Sequence, residues 1–183
     1  VDCQACGADT YQDQTDQTSC LACPGHSGHD SSAQTLRTAC LCNQGYYKEG
    51  ETCTACAAGT YTEFTDDHED VSVDACRKCA AGTYSETAAA TSATTCVDCR
   101  AGKYSATPAS ATASDCLACA PGKFSNATGA ATADTCTTCA SGSYSEANGA
   151  SACTQCQAGK KGSNAAVHNG TLHCETCNRA YYS

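Results

Sequence analysis

The sequence predicts an all-β, small disulfide-rich fold: an elongated linear array of short β-hairpin repeats with almost no helix. Three observations carry that prediction. Cysteine supplies 20 of 183 residues, a density that marks disulfide scaffolds. The cysteines keep a strict period: Cys76, Cys96, Cys116 and Cys136 each begin a C-x-x-C completed by Cys79, Cys99, Cys119 and Cys139, 20 residues apart. A repeat of this length is the mark of stacked units. Apolar side chains are also scarce, with five Val, five Leu, no Ile, two Phe, no Met and no Trp.

The 41% hydrophobic content is mostly Ala and Cys. Ordering the chain costs about 1.5 kcal/mol per residue, which so few branched aliphatics cannot offset, so cross-links must hold the fold. Cysteine at this density implies an oxidising compartment, and an extracellular or cell-surface location is expected. The net charge of −9, from 19 acidic against 10 basic residues, excludes nucleic acid as a partner, since phosphate binding runs on Lys and Arg. No apolar run of about 18 residues exists, so no membrane span is expected in this chain. Val1 opens the sequence without a charged or apolar leader, as expected of a mature or partial chain.

In order, the cysteines form ten pairs: Cys3/Cys6, Cys20/Cys23, Cys40/Cys42, Cys53/Cys56, the four periodic pairs, Cys153/Cys156 and Cys174/Cys177. Nine are C-x-x-C, and Cys40-Leu41-Cys42 is C-x-C. Between them lie nine segments of 13, 16, 10, 19, 16, 16, 16, 13 and 17 residues. In seven of these an aromatic stands fifth, at Tyr11, Tyr47, Tyr61, Tyr84, Tyr104, Phe124 and Tyr144. Two residues before it, a glycine such as Gly82 or Gly102 lets the backbone turn with positive φ, and the aromatic begins an extended stretch. Asp9 replaces that glycine in the first segment, and Gly28 and Lys161 replace the aromatic in the second and ninth. The far half of each segment is Ala, Thr and Ser, with Asn148-Gly149 and Asn169-Gly170 as expected tight turns. No helical apolar stripe occurs, so nothing beyond a stray helical turn is expected. Each segment reads as a small hairpin with its aromatic packed for structure. Residues 1–56 form divergent repeats with the C-x-C, 57–75 a long-loop repeat with an acidic insertion, 76–152 the regular repeats, and 153–183 a divergent terminal repeat of a longer array.

Three chemistries compete for the cysteines. The spacing overlaps that of zinc ribbons, but such sites would overlap along the chain. A redox C-x-x-C needs a low-pKa thiol in a βαβ setting, and none is present. Disulfides are the leading reading, and neither metal nor cofactor is expected. Two connectivities stay open. One joins neighbouring pairs as Cys6–Cys20, Cys23–Cys40, Cys42–Cys53, Cys56–Cys76, Cys79–Cys96, Cys99–Cys116, Cys119–Cys136, Cys139–Cys153 and Cys156–Cys174, leaving Cys3 and Cys177 for adjoining repeats or other molecules. The other crosses first to third and second to fourth within five modules and uses all 20 cysteines. Each bridge around a loop of this size contributes about 3 kcal/mol.

Asn126-Ala127-Thr128 and Asn169-Gly170-Thr171 are sequons for N-linked glycans, and the Ser/Thr loops suit O-linked sugar. His26, His29, His68, His168 and His173 are scattered without a nucleophile–base pattern, so no enzyme is expected. His26 and His29 with Asp30 are weighed as metal ligands and read instead as solvated loop residues. The acidic group Asp66, Asp67, His68, Glu69, Asp70 and Asp74 lacks the ordered spacing of a calcium loop and reads as a solvated insertion.

The motif C-x-x-C-x-A-G-x-Y-S, followed by a Ser/Thr/Ala loop and the next C-x-x-C, resembles the ephrin-receptor-like cysteine-rich repeat, a relative of the tumour-necrosis-factor-receptor module. Residues 20–56, in which C-x-C is followed by Gly45-Tyr46-Tyr47, resemble the receptor segment closely. The resemblance implies the sequential bridges. The Ala/Thr/Ser-rich repeats are also similar to those of algal mastigoneme-type extracellular filament proteins. On that basis the expected role is a structural segment of a secreted glycoprotein that builds a filament or surface coat. Its partners would be other copies of itself or other filament proteins. A receptor-type ectodomain that binds a protein ligand is the alternative.

Overall fold

The structure, a computed structural model, describes residues 4–63, 71–162 and 174–176. It is all-β: nine two-stranded antiparallel sheets and five single 3₁₀ turns, with no α-helix, make up the regular structure among the described residues. The chain divides into two compact units, Val1–Lys78 with Glu86–Thr95, and Cys79–Ser85 with Cys96–Ser183. Each repeat is counted from the second cysteine of one pair to the first of the next.

The second unit shows the repeat in its regular form. Thr83–Tyr84 pairs with Val97–Asp98, Lys103–Tyr104 with Leu117–Ala118, Lys123–Phe124 with Thr137–Thr138, and Ser143–Tyr144 with Thr154–Gln155. The second strand of each hairpin is therefore the dipeptide inside the following C-x-x-C. Its cysteine extends the pairing by one bond: Cys99, Cys119, Cys139 and Cys156 donate their N–H to the carbonyls of Gly82, Gly102, Gly122 and Gly142 at 2.8–2.9 Å. The strands stop after two residues because the next backbone N–H turns outward to another repeat.

Three main-chain bonds join one repeat to the next at each of three successive junctions. At the first junction Gly82 donates to Ser105 O (2.7 Å), Ser85 to Ser110 O (3.1 Å) and Ala109 to Cys79 O (2.9 Å). At the next, Gly102 donates to Ser125 O (2.7 Å), Ser105 to Ala130 O (3.0 Å) and Gly129 to Cys99 O (2.8 Å). At the third, Gly122 donates to Ser145 O (2.8 Å), Ser125 to Ala150 O (3.1 Å) and Gly149 to Cys119 O (2.8 Å). The ladder uses the third and sixth residues and the opening cysteine of one repeat. It meets the sixth, tenth and eleventh residues of the next.

The first unit keeps this scheme on divergent residues. Asp9 donates to His29 O (3.2 Å), Gln12 to Gln34 O (3.1 Å) and Ala33 to Cys6 O (2.8 Å). Asp9 (φ 58) and His26 (φ 61) hold the left-handed conformation that glycine holds elsewhere. Their carbonyls accept the closing bonds from Cys23 and Asn43 at 2.9 Å. Asp tolerates this conformation better than bulkier residues do, so the register survives the loss of glycine. The ten-residue repeat is the exception, forming a longer hairpin of Tyr46–Glu49 with Thr52–Ala55 that turns at Gly50.

In each unit the buried interior is largely sulfur and hydroxyl. Cys56 and Cys99 are wholly buried, as are the hydroxyl residues Thr62 and Ser85, all at 0% exposure. Ser105, Ser125 and Ser145 occupy the same sixth position and are also buried. The Ser105 and Ser110 hydroxyls bond each other at 3.0 Å, and Ser110 donates to Thr107 O at 2.8 Å, so burial leaves them satisfied. The repeats pack closely at the third position: a Cβ on Gly82 would fall on the carbonyl oxygen of Gly129, and one on Gly102 on that of Gly149, two repeats further on. Glycine is required there by space as well as by φ.

A 3₁₀ turn delivers the closing cysteine, as at Ala113–Asp115, where Cys116 donates to Ala113 O. Asp115 braces this turn by accepting from the N–H groups of Ala111 and Thr112, both at 2.9 Å. The Thr112 N–H, against an opposing desolvation and aided by the Thr112 hydroxyl and the Ala111 N–H, holds the exposed Asp115 carboxyl below the usual aspartate range.

Three outcomes follow. Gly102→Ala should cost about 3 kcal/mol or more, from a left-handed residue plus a clash, read as lost amide protection at Ser125 and Gly149. Gly142 has equal φ (+85) but open space at its Cβ position, so Gly142→Ala should cost only about 1–2 kcal/mol. Because the Asp115 pKa is depressed on folding, its bracing is present above the unfolded pKa and is lost as pH falls through the folded one. NMR titration should place the Asp115 midpoint below that of a denatured-chain aspartate, with amide exchange at Ala111 and Thr112 rising once it protonates.

Candidate functional site

The chemistry-bearing residues of this chain are its bridges and the places where the repeat pattern breaks. Among the described residues nine disulfides run sequentially: Cys6–Cys20, Cys23–Cys40, Cys42–Cys53, Cys56–Cys76, Cys79–Cys96, Cys99–Cys116, Cys119–Cys136, Cys139–Cys153 and Cys156–Cys174. Their Cα atoms lie 5.5–5.8 Å apart. Each bridge joins the opening and closing cysteines of one repeat. Cys3 and Cys177 lie outside the described residues.

The second repeat carries the main break. His26 is exposed at the left-handed position, and its ring stacks on Tyr46 with centroids 4.2 Å apart and planes at 11°. His29 points inward at 6% exposure, in the sixth position where five other repeats bury Ser or Thr. Its Nε2 lies 3.1 Å from Thr10 O, and its N–H donates to Asp9 Oδ1 at 3.0 Å. A carbonyl only accepts, so Nε2 carries the proton and Nδ1 keeps a lone pair. That Nδ1 is buried without a partner. The structure therefore separates the residues weighed together from sequence, since His26 is a stacking residue, His29 is buried, and Asp30 lies exposed on the surface. His29 gathers instead with Cys23 and Cys40, the one grouping of three donor side chains within 4.8 Å among the described residues. Both sulfurs are held in a bridge.

Of the acidic insertion, Asp66, Asp67, His68, Glu69 and Asp70 lie outside the described residues, as do His168, His173 and Asn169. Asp74 sits in the 3₁₀ turn Val73–Ala75. Asn126 is exposed, directly after buried Ser125 and two residues after half-buried Phe124, with Thr128 also exposed. Along the inter-cysteine strands Val97 and Leu117 face Tyr84 and Tyr104 across their hairpins and remain 51% and 55% exposed.

Sequence reasoning missed the sixth position. The signal was present in the serine that follows the aromatic in Tyr84-Ser85, Tyr104-Ser105, Phe124-Ser125 and Tyr144-Ser145. A small hydroxyl recurring after an apolar residue marks a buried polar junction.

No helix among the described residues is long and apolar enough to cross a membrane. No curated protein matches the chain in a sequence comparison. The family model described as tyrosine-protein kinase ephrin type A/B receptor-like matches residues 1–40. That span covers the first hairpin, the first strand of the second, and the Cys6–Cys20 and Cys23–Cys40 bridges. Residues 1–40 thus carry an ephrin-receptor-like repeat, within a disulfide-bonded, cysteine-rich repeat protein of the extracellular type.

Proposed function

We propose that this chain is a structural repeat segment of a secreted glycoprotein that forms an extracellular filament or surface coat, similar to mastigoneme proteins. The observation that carries the reading is the main-chain ladder, which repeats at successive junctions with bond lengths of 2.7–3.1 Å. A junction built from backbone groups is indifferent to most side chains. Repeats can then be added without redesign, as a length-determining element needs. Val97 and Leu117, half exposed at the same place in successive repeats, supply periodic apolar points for lateral contact with other copies. The role is non-enzymatic, and in it the bridges serve to hold the array.

In this reading residues 76–152 are the interchangeable building portion, and 1–56, 57–75 and 153–183 are variants on it. Asn126 carries an N-linked glycan on an exposed edge, Asn169 is the second acceptor, and the Ser/Thr loops carry O-linked sugar. A receptor-type ectodomain is the second reading, favoured by the family match at residues 1–40 and by the concentration of irregular residues there.

Electron microscopy of the native material should show filaments with a repeating lateral contact, which Val97→Asp with Leu117→Asp should disperse. Isolated rods that capture a soluble protein ligand would instead establish the receptor reading. Asn126→Gln should remove one glycosidase-sensitive glycan from the secreted chain, visible as a mass shift.

A further inference from the structure

We propose that Cys23, His29 and Cys40 form a soft-metal site that opens only when their bridge is reduced. The starting point is the buried Nδ1 of His29, which has no hydrogen-bond partner. An unsatisfied buried acceptor costs about 1–3 kcal/mol and calls for an explanation. The same position in five other repeats is filled by Thr62, Ser85, Ser105, Ser125 and Ser145, so the scaffold has no need of an imidazole there.

The ring is held as a metal ligand would be. Ligating histidines commonly donate their second ring N–H to a backbone carbonyl, which fixes the tautomer and leaves the other nitrogen free to bind. Here Nε2 donates to Thr10 O at 3.1 Å. The residue is pinned further by its own N–H on Asp9 Oδ1 (3.0 Å) and by Asp9 N–H on its carbonyl (3.2 Å). A ring nitrogen and both sulfurs already lie within 4.8 Å of one another. A tetrahedral zinc site, with bonds of about 2.0–2.3 Å, needs its donors about 3.5 Å apart. Once the S–S bond is gone, small side-chain rotations meet that spacing. The Cα separation of 5.7 Å limits how far the thiols can part.

The chemistry balances with a small monothiol such as glutathione as reductant. Two thiols are oxidised to their disulfide, the Cys23–Cys40 bond is reduced, and two protons end on the freed sulfurs. A divalent cation such as Zn²⁺ then displaces those two protons. It binds two thiolates and Nδ1, and water takes the fourth position. While the bridge is intact the site is closed, because bridged sulfur is no thiolate. No other bridge among the described residues has such a histidine.

The test equilibrates the full chain in glutathione redox buffers with and without Zn²⁺, then maps free cysteines by alkylation and mass spectrometry. Zn²⁺ should raise the open fraction of Cys23 and Cys40 at least tenfold at a given glutathione ratio and leave the other eight bridges unmoved. Co²⁺ in place of Zn²⁺ should give the visible spectrum of a tetrahedral thiolate site. His29→Ser, which installs the residue other repeats use, should keep the fold and the bridge but abolish both effects. An unchanged opening with Zn²⁺, an equal shift at bridges without histidine, or a wild-type response from His29→Ser would each overturn the proposal. So would a Cys23–Cys40 bridge that stays closed at every glutathione ratio.

Discussion

The structure depends on one constraint: a chain without an apolar core must satisfy and bury its backbone by some other route. Disulfides reduce the entropy of each loop, yet a bridge alone leaves a hairpin of two residue pairs, which is marginal in water. Stability comes from coupling the bridges to the inter-repeat ladder. The opening cysteine of a repeat is the point of coupling. At Cys99, for example, the sulfur bonds Cys116, the N–H closes the preceding hairpin on Gly82, and the carbonyl receives Gly129. Few residues serve three structural roles at once, and this explains why Cys99 is wholly buried.

The ladder also explains where the backbone is strained. The tenth residue of a repeat donates to the previous opening cysteine from a left-handed conformation, whether it is Gly129 (φ 63), Gly149 (φ 77), Ala109 (φ 61), Ala89 (φ 51) or Ala33 (φ 62). Alanine there costs about 1–2 kcal/mol. That the geometry persists with alanine shows that the junction sets the conformation, while the local sequence follows.

Much of this was legible in the sequence. The 20-residue period, the missing aliphatics and the Gly-x-aromatic spacing point to hairpin repeats because all three are local properties. The junctions were not legible, since a main-chain bond between Ser85 and Ser110 leaves no trace in side-chain chemistry beyond a preference for small residues. Asp9 looked like a break and is none, because aspartate can take up the glycine conformation. His29 looked like a loop residue and is buried, because its repeat position decides its burial and its polarity does not.

Residue-resolved hydrogen exchange on the oxidised chain tests the central claim most directly. The ladder donors Gly82, Ser85, Gly102, Ser105, Gly122, Ser125, Ala109, Gly129 and Gly149 should be protected as a group, as strongly as the hairpin donors Cys99, Cys119 and Cys139. If the hairpin amides are slow while the ladder amides exchange at the rate of exposed loops, the repeats are beads on a string and the account is contradicted.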